Sequence, residues 1–450
     1  MSISSPSSIG NRDTKITFRV DPRSYRYVLA LFLKLENITE LSVGGSATDQ
    51  LLGSGVTENP VVKMPTLVHY RGQDGDEVLE EIVPYIPGST LKGLLRSIAE
   101  KRVAMNGESV RLIDVLRKLI ELDERGNGGY LDKHDVSEIV DKILARILNQ
   151  YIDEKFVNKL CSGIRDYDSF REFIKKVSEA HGSSDLSDFL KKIIGDEETA
   201  GVMDKVAPII TTILRNYELN TNVCNPVIEG LMCELPIPKY KILLLKALTE
   251  TVNKDIDYPC SVCRLFGLPG YMSRLIVMDA WPLGVKRTVL LLRTHIAIDR
   301  LRESVVHGKT FDIEYIAPRA EFGFIIVYHL ATQRQIDIGR IDQGNRYGLL
   351  EKLIEKVSEE TDKENLRLLK TIIEDIETNG VWIGKRKTWG MGKVKITLKS
   401  TALIDLYRQT DPNYKPLVHG TKAKEIIDQY IKQGIPLPLK ETIQMFFPNN

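Results

Sequence analysis

Two cations spaced four residues apart follow a turn that is typical of a helix start. In residues 87–96, a Pro-Gly turn leads into Ser-Thr-Leu-Lys-Gly-Leu-Leu-Arg. The leucine spacing predicts an amphipathic helix, and the hydroxyl of Ser89 or Thr90 is expected to cap it. Lys92 and Arg96 then share one face beside the positive end of the helix dipole. We predict a phosphate site at Ser89, Lys92 and Arg96. The competing interpretation is a capped helix whose cations are solvated.

A second basic cluster surrounds a glycine-rich stretch near the other end of the chain. Glycines at positions 384, 390 and 392 let the backbone come close to a ligand. The side chains predicted to bind there are four cations and one stacking ring, namely Lys385, Arg386, Lys387, Lys393 and Trp389. The stretch precedes a strand and lacks the spacing of a Walker A loop or a dinucleotide fingerprint. Nucleotide hydrolysis is therefore disfavoured.

Four of the five cysteines form a candidate metal site. Cys260 and Cys263 are a Cys-x-x-Cys pair, and Cys224 and Cys233 lie upstream with an irregular spacing of nine. Four thiolates at tetrahedral reach would make a closed structural zinc site. The alternative is that these cysteines are small buried apolar residues, as free cysteines often are.

Several segments together resemble one protein family. They are residues 41–46, 87–96, 260–267, 273–280 and 384–394. Pro-Gly-Ser-Thr-Leu-Lys-Gly followed by Arg, with a glycine-rich loop near the C-terminus, resembles the RAMP superfamily (repeat-associated mysterious proteins). The likeness is strongest to the backbone subunit of type III CRISPR effector complexes. It covers about residues 24–102 and 260–400.

The resemblance implies a function in antiviral defence. Such a subunit binds guide (CRISPR) RNA and holds target RNA in register, together with other RAMP subunits and a large polymerase-like subunit. In family members the glycine-rich loop packs against the opening helix and contacts the guide RNA, and several members bind zinc in their lids.

The resemblance also implies an alternative function as a metal-dependent endoribonuclease. In the backbone family, a loop carboxylate before Pro-Val is needed to cleave target RNA at regular intervals, and Glu58 occupies the matching position. Magnesium would be the cofactor of such a reaction. Because Glu replaces the family's Asp here, a solvated carboxylate in a non-cleaving relative is the competing interpretation.

A protruding hairpin is predicted between two strands, at about residues 299–311. In the family, the corresponding hairpin is a thumb that pushes between guide and target strands. Arg300, Arg302, His307 and Lys309 would contact the RNA backbone. The alternative is a solvated polar hairpin.

The order of predicted elements indicates an α+β fold. A strand, a helix, two strands, a helix and a strand give a ferredoxin-like domain of the type found in RNA-recognition motifs, with a β-hairpin thumb. We predict this RAMP core at residues 24–103 and 259–400. A large helical insertion, or lid, would occupy residues 104–258, and residues 401–450 would form a C-terminal extension.

Composition excludes some classes of protein. With 450 residues and a net charge of +1, the chain is not a globally basic nucleic-acid binder, so any RNA site must be local. It has no apolar run near the roughly 20 residues that span a membrane, and its start does not resemble a signal peptide. We therefore expect a cytoplasmic protein. A third interpretation, a stand-alone helical scaffold built on the insertion, predicts behaviour independent of RNA.

Overall fold

The computed structural model describes residues 2–3, 15–18, 25–44, 60–126, 130–179, 184–194, 200–342 and 344–448. The chain divides into two compact units. The helical unit comprises Met1–Val20 and Glu100–Ser273, and the sheet unit comprises Asp21–Ala99 and Arg274–Asn450. Helices and strands are both abundant, which confirms the predicted α+β class.

The strands follow one another in the order β1 (Ser2–Ile3), β2 (Ile16–Phe18), β3 (Tyr27–Asn37), β4 (Lys63–Arg71), β5 (Asp76–Pro84), β6 (Ser109–Arg111), β7 (Glu218–Asn220), β8 (Ile256–Tyr258), β9 (Leu275–Val277), β10 (Trp281–Pro282), β11 (Leu290–Asp299), β12 (Ser304–Ile316), β13 (Glu321–Leu330), β14 (Val381–Trp382), β15 (Lys393–Asp405), β16 (Leu417–Gly420) and β17 (Ile435–Pro436).

The α-helices are α1 (Gly88–Met105), α2 (Leu112–Arg125), α3 (Lys133–Ile139), α4 (Ala145–Leu148), α5 (Glu154–Gly163), α6 (Tyr167–Glu179), α7 (Ser184–Ile194), α8 (Ala200–Asn216), α9 (Lys239–Val252), α10 (Ser261–Phe266), α11 (Gly348–Lys356), α12 (Glu360–Asn379), α13 (Ala423–Tyr430) and α14 (Leu437–Phe446). A π-helical turn, Val140–Leu144, joins α3 to α4.

The sheet unit is built on an antiparallel sheet in the order β10-β13-β3-β15-β14, with β9 also beside β13 and β16 beside β15. Strand β3 lies at its centre, and apolar side chains line both of its faces. Leu29, Leu31, Leu33 and Leu35 on one face are buried, and so are Val28, Ala30 and Phe32 on the other. A strand covered on both faces requires this nearly continuous apolar sequence.

Both faces of the sheet are covered within the unit. Helix α12 packs on the face of Leu29 and Leu31, where the buried Asp362 carboxylate of α12 accepts a 2.8 Å hydrogen bond from the Tyr328 hydroxyl. On the other face, the apolar side chains of the sheet, including Phe32 of β3, form one buried cluster with side chains of β4, α13 and α14. The rings of Phe32 and Phe447 meet there edge to face, 6.3 Å apart.

Two β-ribbons extend from this unit. β11 pairs with β12, and β4 pairs with β5 and with β17. Among the described strands, β11 and β12 pair only with each other. The turn of the β11–β12 ribbon carries Leu301, which is 96% exposed.

The helical unit has its own apolar core, drawn from α2 to α9. Phe170 and Phe173 of α6 and Leu214 of α8 are fully buried in it. A small three-stranded sheet contains β1, β2 and β8 in that order. Within the described part of the chain, none of the helices has the length and apolar character required to cross a membrane.

Candidate RNA interface and metal centre

The glycine-rich loop connects β14 to β15 and is held against residues 40–44. The Lys385 amide donates to the Ser42 carbonyl at 2.9 Å, and the Gly392 amide donates to the Glu40 carbonyl at 2.7 Å. Gly384 has a φ of +83°, and a Cβ there would lie 2.4 Å from the Ser42 oxygen. The glycine is therefore needed for both conformation and space.

The cations of the loop differ in exposure. Lys385 and Lys387 are exposed, whereas Arg386 and Lys393 are half-buried. The Lys385 stem crosses Gly44 so closely that a Cβ there would lie 2.1 Å from its Cε. Arg386 has a left-handed backbone with φ of +59°, which is uncommon for a residue with a side chain. The predicted Lys385, Arg386, Lys387 and Lys393 thus belong to one short loop.

A group of rings joins this loop to the β11–β12 ribbon. His295 of β11 and Phe311 of β12 are stacked with centroids 5.5 Å apart and an interplanar angle of 12°. The Trp389 ring lies 5.1 Å from His295 and 6.4 Å from Phe311. The Arg386 guanidinium sits 4.5 Å from the centroid of Trp389 and 4.9 Å from that of Phe311. We call these four residues the ring cluster.

The ring cluster is partly open to solvent. Trp389 is 53% exposed, whereas Trp281, stacked on Tyr85 at 5.1 Å, is 7% exposed. Partial burial and the nearby charges of Arg386 and Arg293 lower the pKa of His295, which favours the neutral imidazole. Arg293 also forms a 2.8 Å ion pair with Glu40, which further ties the ribbon to the residues under the loop.

The start of α1 differs from the prediction. The helix begins at Gly88, so Ser89 and Thr90 lie inside its first turn, and the Pro87 carbonyl accepts from the amides of Thr90 and Leu91. The predicted hydroxyl cap is therefore wrong. Instead, the Asp279 carboxylate accepts from the Gly88 amide at 2.7 Å. A carboxylate already interacts with the positive end of the helix, so binding of an RNA phosphate there would depend on the neighbouring cations.

Lys92 and Arg96 do lie side by side on α1, as their spacing predicts. Burial and the nearby Arg96 charge lower the pKa of Lys92. Ser89 is exposed beside them, while Leu91 and Leu95 face the core. The three predicted residues thus lie within the first three turns of the helix.

A row of backbone segments links the helix start to the glycine-rich loop. Ile86 bridges Ala280, the Tyr85 amide donates to the Val62 carbonyl, and the Val62 amide donates to the Val43 carbonyl. The Ser42 carbonyl then accepts a hydrogen bond from the Lys385 amide of the loop. At about 4.8 Å per neighbouring segment, three steps separate residue 86 from the loop, or about 14 Å. A single strand with bases stacked about 3.4 Å apart would cover that distance with about four nucleotides.

The remaining predicted RNA contacts are only partly described. Arg300 and Arg302 are exposed in the turn of the ribbon. His307 and Lys309 belong to β12, but their side chains lie outside the described ones. Glu58 lies outside the described residues altogether.

The four predicted cysteines come together in the helical unit. Cys224 follows β7, Cys233 follows a 3₁₀ turn, Cys260 immediately precedes α10, and Cys263 lies in its first turn. The Sγ atoms of Cys224 and Cys263 are 3.4 Å apart and those of Cys260 and Cys224 are 3.8 Å apart. All four Sγ atoms lie within 4.8 Å of one another. Cys161, the fifth cysteine, is buried in the apolar core of the same unit.

The chemistry of this donor set fits a metal ion. A tetrahedral zinc with Zn–S bonds of about 2.3 Å has S–S edges of about 3.8 Å. Hydrogen bonding with Cys224 and neighbouring thiols, together with burial, raises the pKa of Cys233 and of Cys263. Hydrogen bonds from the other three thiols lower the pKa of Cys260. A cavity of about 420 Å³ borders Cys224, Cys233 and Cys260.

Sequence reasoning did not single out three residues of these sites. His295 is a lone histidine in a strand, and its role depends on a cross-strand partner 16 positions away. Asp279 lies in a recognised motif, but its bond to Gly88 spans 191 positions. Arg293 likewise depends on a distant partner, Glu40. Only the fold brings these groups together.

The family model described as RAMPs, the RAMP superfamily, matches residues 78–395. No curated protein sequence matches the chain. One similar solved structure is the type III-B Cmr-beta complex bound to cognate target RNA, determined by cryo-EM, at 10% identity and a TM-score of 0.27. The match covers 88% of this chain and 61% of that chain. At this TM-score the likeness supports no inference about the fold.

Proposed function

Because the chain belongs to the RAMP superfamily, we propose that it is a guide-RNA-binding backbone subunit of a cytoplasmic type III CRISPR interference complex. It would hold guide RNA and target RNA, and it would assemble with other RAMP subunits and a large polymerase-like subunit.

The observation that carries the proposal is the glycine-rich loop, which backbone hydrogen bonds hold in place and which carries several cations. Backbone hydrogen bonds to Glu40 and Ser42 fix the loop, and Lys385 and Lys387 extend from it into solvent. A fixed loop with exposed cations suits a polyanion with a repeating charge, since the loop sets the register and the charges set the affinity. Lys92 and Arg96 would extend the same track along the row of backbone segments.

The strand order supports a ferredoxin-like core. In the sheet unit, the strands β15, β3, β13 and β9 are neighbours in that order and antiparallel. Numbered as the four strands of a β-α-β-β-α-β chain, they have the order 4-1-3-2, which a ferredoxin-like fold has. The β11–β12 ribbon is the proposed thumb, with Arg300 and Arg302 at its turn.

The proposed domains follow from this core. Residues 24–103 and 259–400 would form the RAMP core, and residues 104–258 the helical lid. The C-terminal extension, residues 401–450, contributes α13 and α14, which cover the sheet face that RNA-recognition motifs use for single strands. RNA is therefore proposed to run along the loops at the end of the sheet.

The cysteine cluster is proposed to hold one zinc ion. Cys224, Cys233, Cys260 and Cys263 would supply all four ligands, so the site would be closed and structural. Zinc would join the segment after β7 to α10 and thereby stabilise the helical unit.

RNA binding is tested by measuring the salt dependence of the affinity of the purified chain for single-stranded guide RNA. The variant Lys385→Ala/Lys387→Ala removes two loop charges. Because each lost phosphate contact lowers the slope of log K against log salt by about 0.7 for single strands, a reduction of about 1.4 is expected.

The matched control is Lys155→Ala/Lys175→Ala, which removes two exposed charges from the helical unit. It changes the net charge equally, so a general electrostatic effect would appear in both variants. Equal slopes for wild type and the loop variant would contradict the proposed interface. A second pair, Lys92→Ala/Arg96→Ala, tests the helix part of the track in the same assay.

A further inference from the structure

The ring cluster has a geometry that phosphate binding does not require. Cations alone would neutralise phosphates, yet the loop also holds a tryptophan with 53% of its surface exposed. An aromatic ring buried in an apolar core would contribute more to stability, as Trp281 does on Tyr85. The exposure of Trp389 leaves part of its ring accessible to a ligand that has an apolar face.

The ring is fixed from both sides of the site. Arg386 lies over it at 4.5 Å on the loop side, and His295 contacts it at 5.1 Å from the ribbon. His295 is in turn stacked on Phe311. Because these contacts restrict the ring, little rotational entropy is lost when a planar group stacks on it.

The charges around the ring indicate which planar group this is. Lys385 and Lys387 are within the same loop and are exposed. A ligand that offers both an aromatic face and an adjacent anion is a nucleotide, and the face is accessible only where the base is unpaired.

We propose that the ring cluster is a stacking platform for one unpaired base of a single-stranded RNA. The inference rests on the proposed RNA-binding function and specifies how the site distinguishes single strands from duplexes. His295 acts as a positioning residue, because it orients Trp389 from the ribbon, and Trp389 contacts the base.

The test uses the purified full-length chain, fluorescein-labelled oligo(A) of twelve nucleotides, and a labelled GC-rich RNA duplex of twelve base pairs, which stays paired under the assay conditions. Base–aromatic stacking is worth about 1–3 kcal/mol, so Trp389→Ala should weaken single-strand binding about 5- to 150-fold. The salt slope should stay unchanged because no charge is removed. Binding of the duplex should change less than twofold, and Trp389→Phe should restore most of the single-strand affinity.

The matched control is Trp382→Ala, which truncates another exposed tryptophan, 39% exposed on β14. It should bind both RNAs as wild type does. His295→Ala should weaken single-strand binding less than Trp389→Ala does.

Two outcomes separate the platform from the proposed function. If Trp389→Ala binds oligo(A) as tightly as wild type while Lys385→Ala/Lys387→Ala does not, the platform is refuted and RNA binding by the loop stands. If wild type binds neither RNA, both proposals fail. Equal losses for single strand and duplex would also refute the platform.

Discussion

Replacing one cysteine of the four-cysteine cluster should abolish zinc binding. The perturbation is Cys233→Ser, and the matched control is Cys161→Ser, a buried cysteine of the same unit outside the cluster. Both changes replace sulfur by oxygen at a buried position. Only the first removes a ligand from the proposed tetrahedron.

The magnitude follows from the geometry. The four Sγ atoms all lie within 4.8 Å of one another, about 1 Å above the edge of a zinc tetrahedron, so binding needs side-chain shifts of at most about 1 Å. With free zinc at a thousand times Kd, binding stabilises the folded state by about 4 kcal/mol. For a unit of this size, that corresponds to a Tm change of about 8 to 16 °C.

The assay is metal content by plasma mass spectrometry after zinc supplementation and desalting, followed by thermal melting with and without a chelator. We expect one zinc per chain for wild type and Cys161→Ser, and almost none for Cys233→Ser. The chelator should lower Tm in the first two proteins only. Equal zinc contents in the two variants, or a wild type without zinc after supplementation, would refute the site.

Three further predictions concern the sheet unit. Asp362→Asn should cost about 3–5 kcal/mol in urea unfolding, because it removes the negative charge that lies 2.8 Å from the fully buried Arg274 guanidinium. Ile443→Ala should cost about 2–5 kcal/mol, whereas Met445→Ala, at a 59% exposed position of the same helix, should cost almost nothing. Burial and the Arg274 charge lower the pKa of His329, so the unfolded chain binds the proton more readily than the folded chain does. The stability contributed by neutral His329 is therefore complete above about pH 6.5 and declines below it. His329→Phe should flatten this decline in thermal melts between pH 7.5 and 5.5.

Sequence patterns predicted the elements that have strong periodicity. The amphipathic helix predicted from the leucine spacing in residues 87–96 is the start of α1, where Leu91 and Leu95 are buried. The apolar side chains of such a segment point to the core from one face, so their spacing alone identifies it.

Other elements depended on contacts that no local pattern contains. The residues of α13 and α14 are short stretches of mixed apolar and polar residues, separated by Gly434 and by prolines. Their pattern therefore did not identify these segments as helices. These helices cover the sheet through partners that are distant in sequence, as where Phe447, next to α14, meets Phe32 over 400 positions away. The cap of α1 was mispredicted for the same reason, since Asp279 replaces the hydroxyl that a local rule favours.

The covered sheet face restricts where a single strand can contact the sheet unit. RNA-recognition motifs stack bases on exposed aromatic side chains of the central strands, but in the proposed ferredoxin-like core the corresponding face of β3 carries Val28, Ala30 and Phe32 beneath α13 and α14. A base could reach them only if the C-terminal helices left, which would expose a large apolar surface. Under the proposed function, base stacking on this unit would therefore depend on a ring held outside the sheet. Trp389 meets that requirement, because the glycine-rich loop places it beside the ribbon and exposes half of its surface.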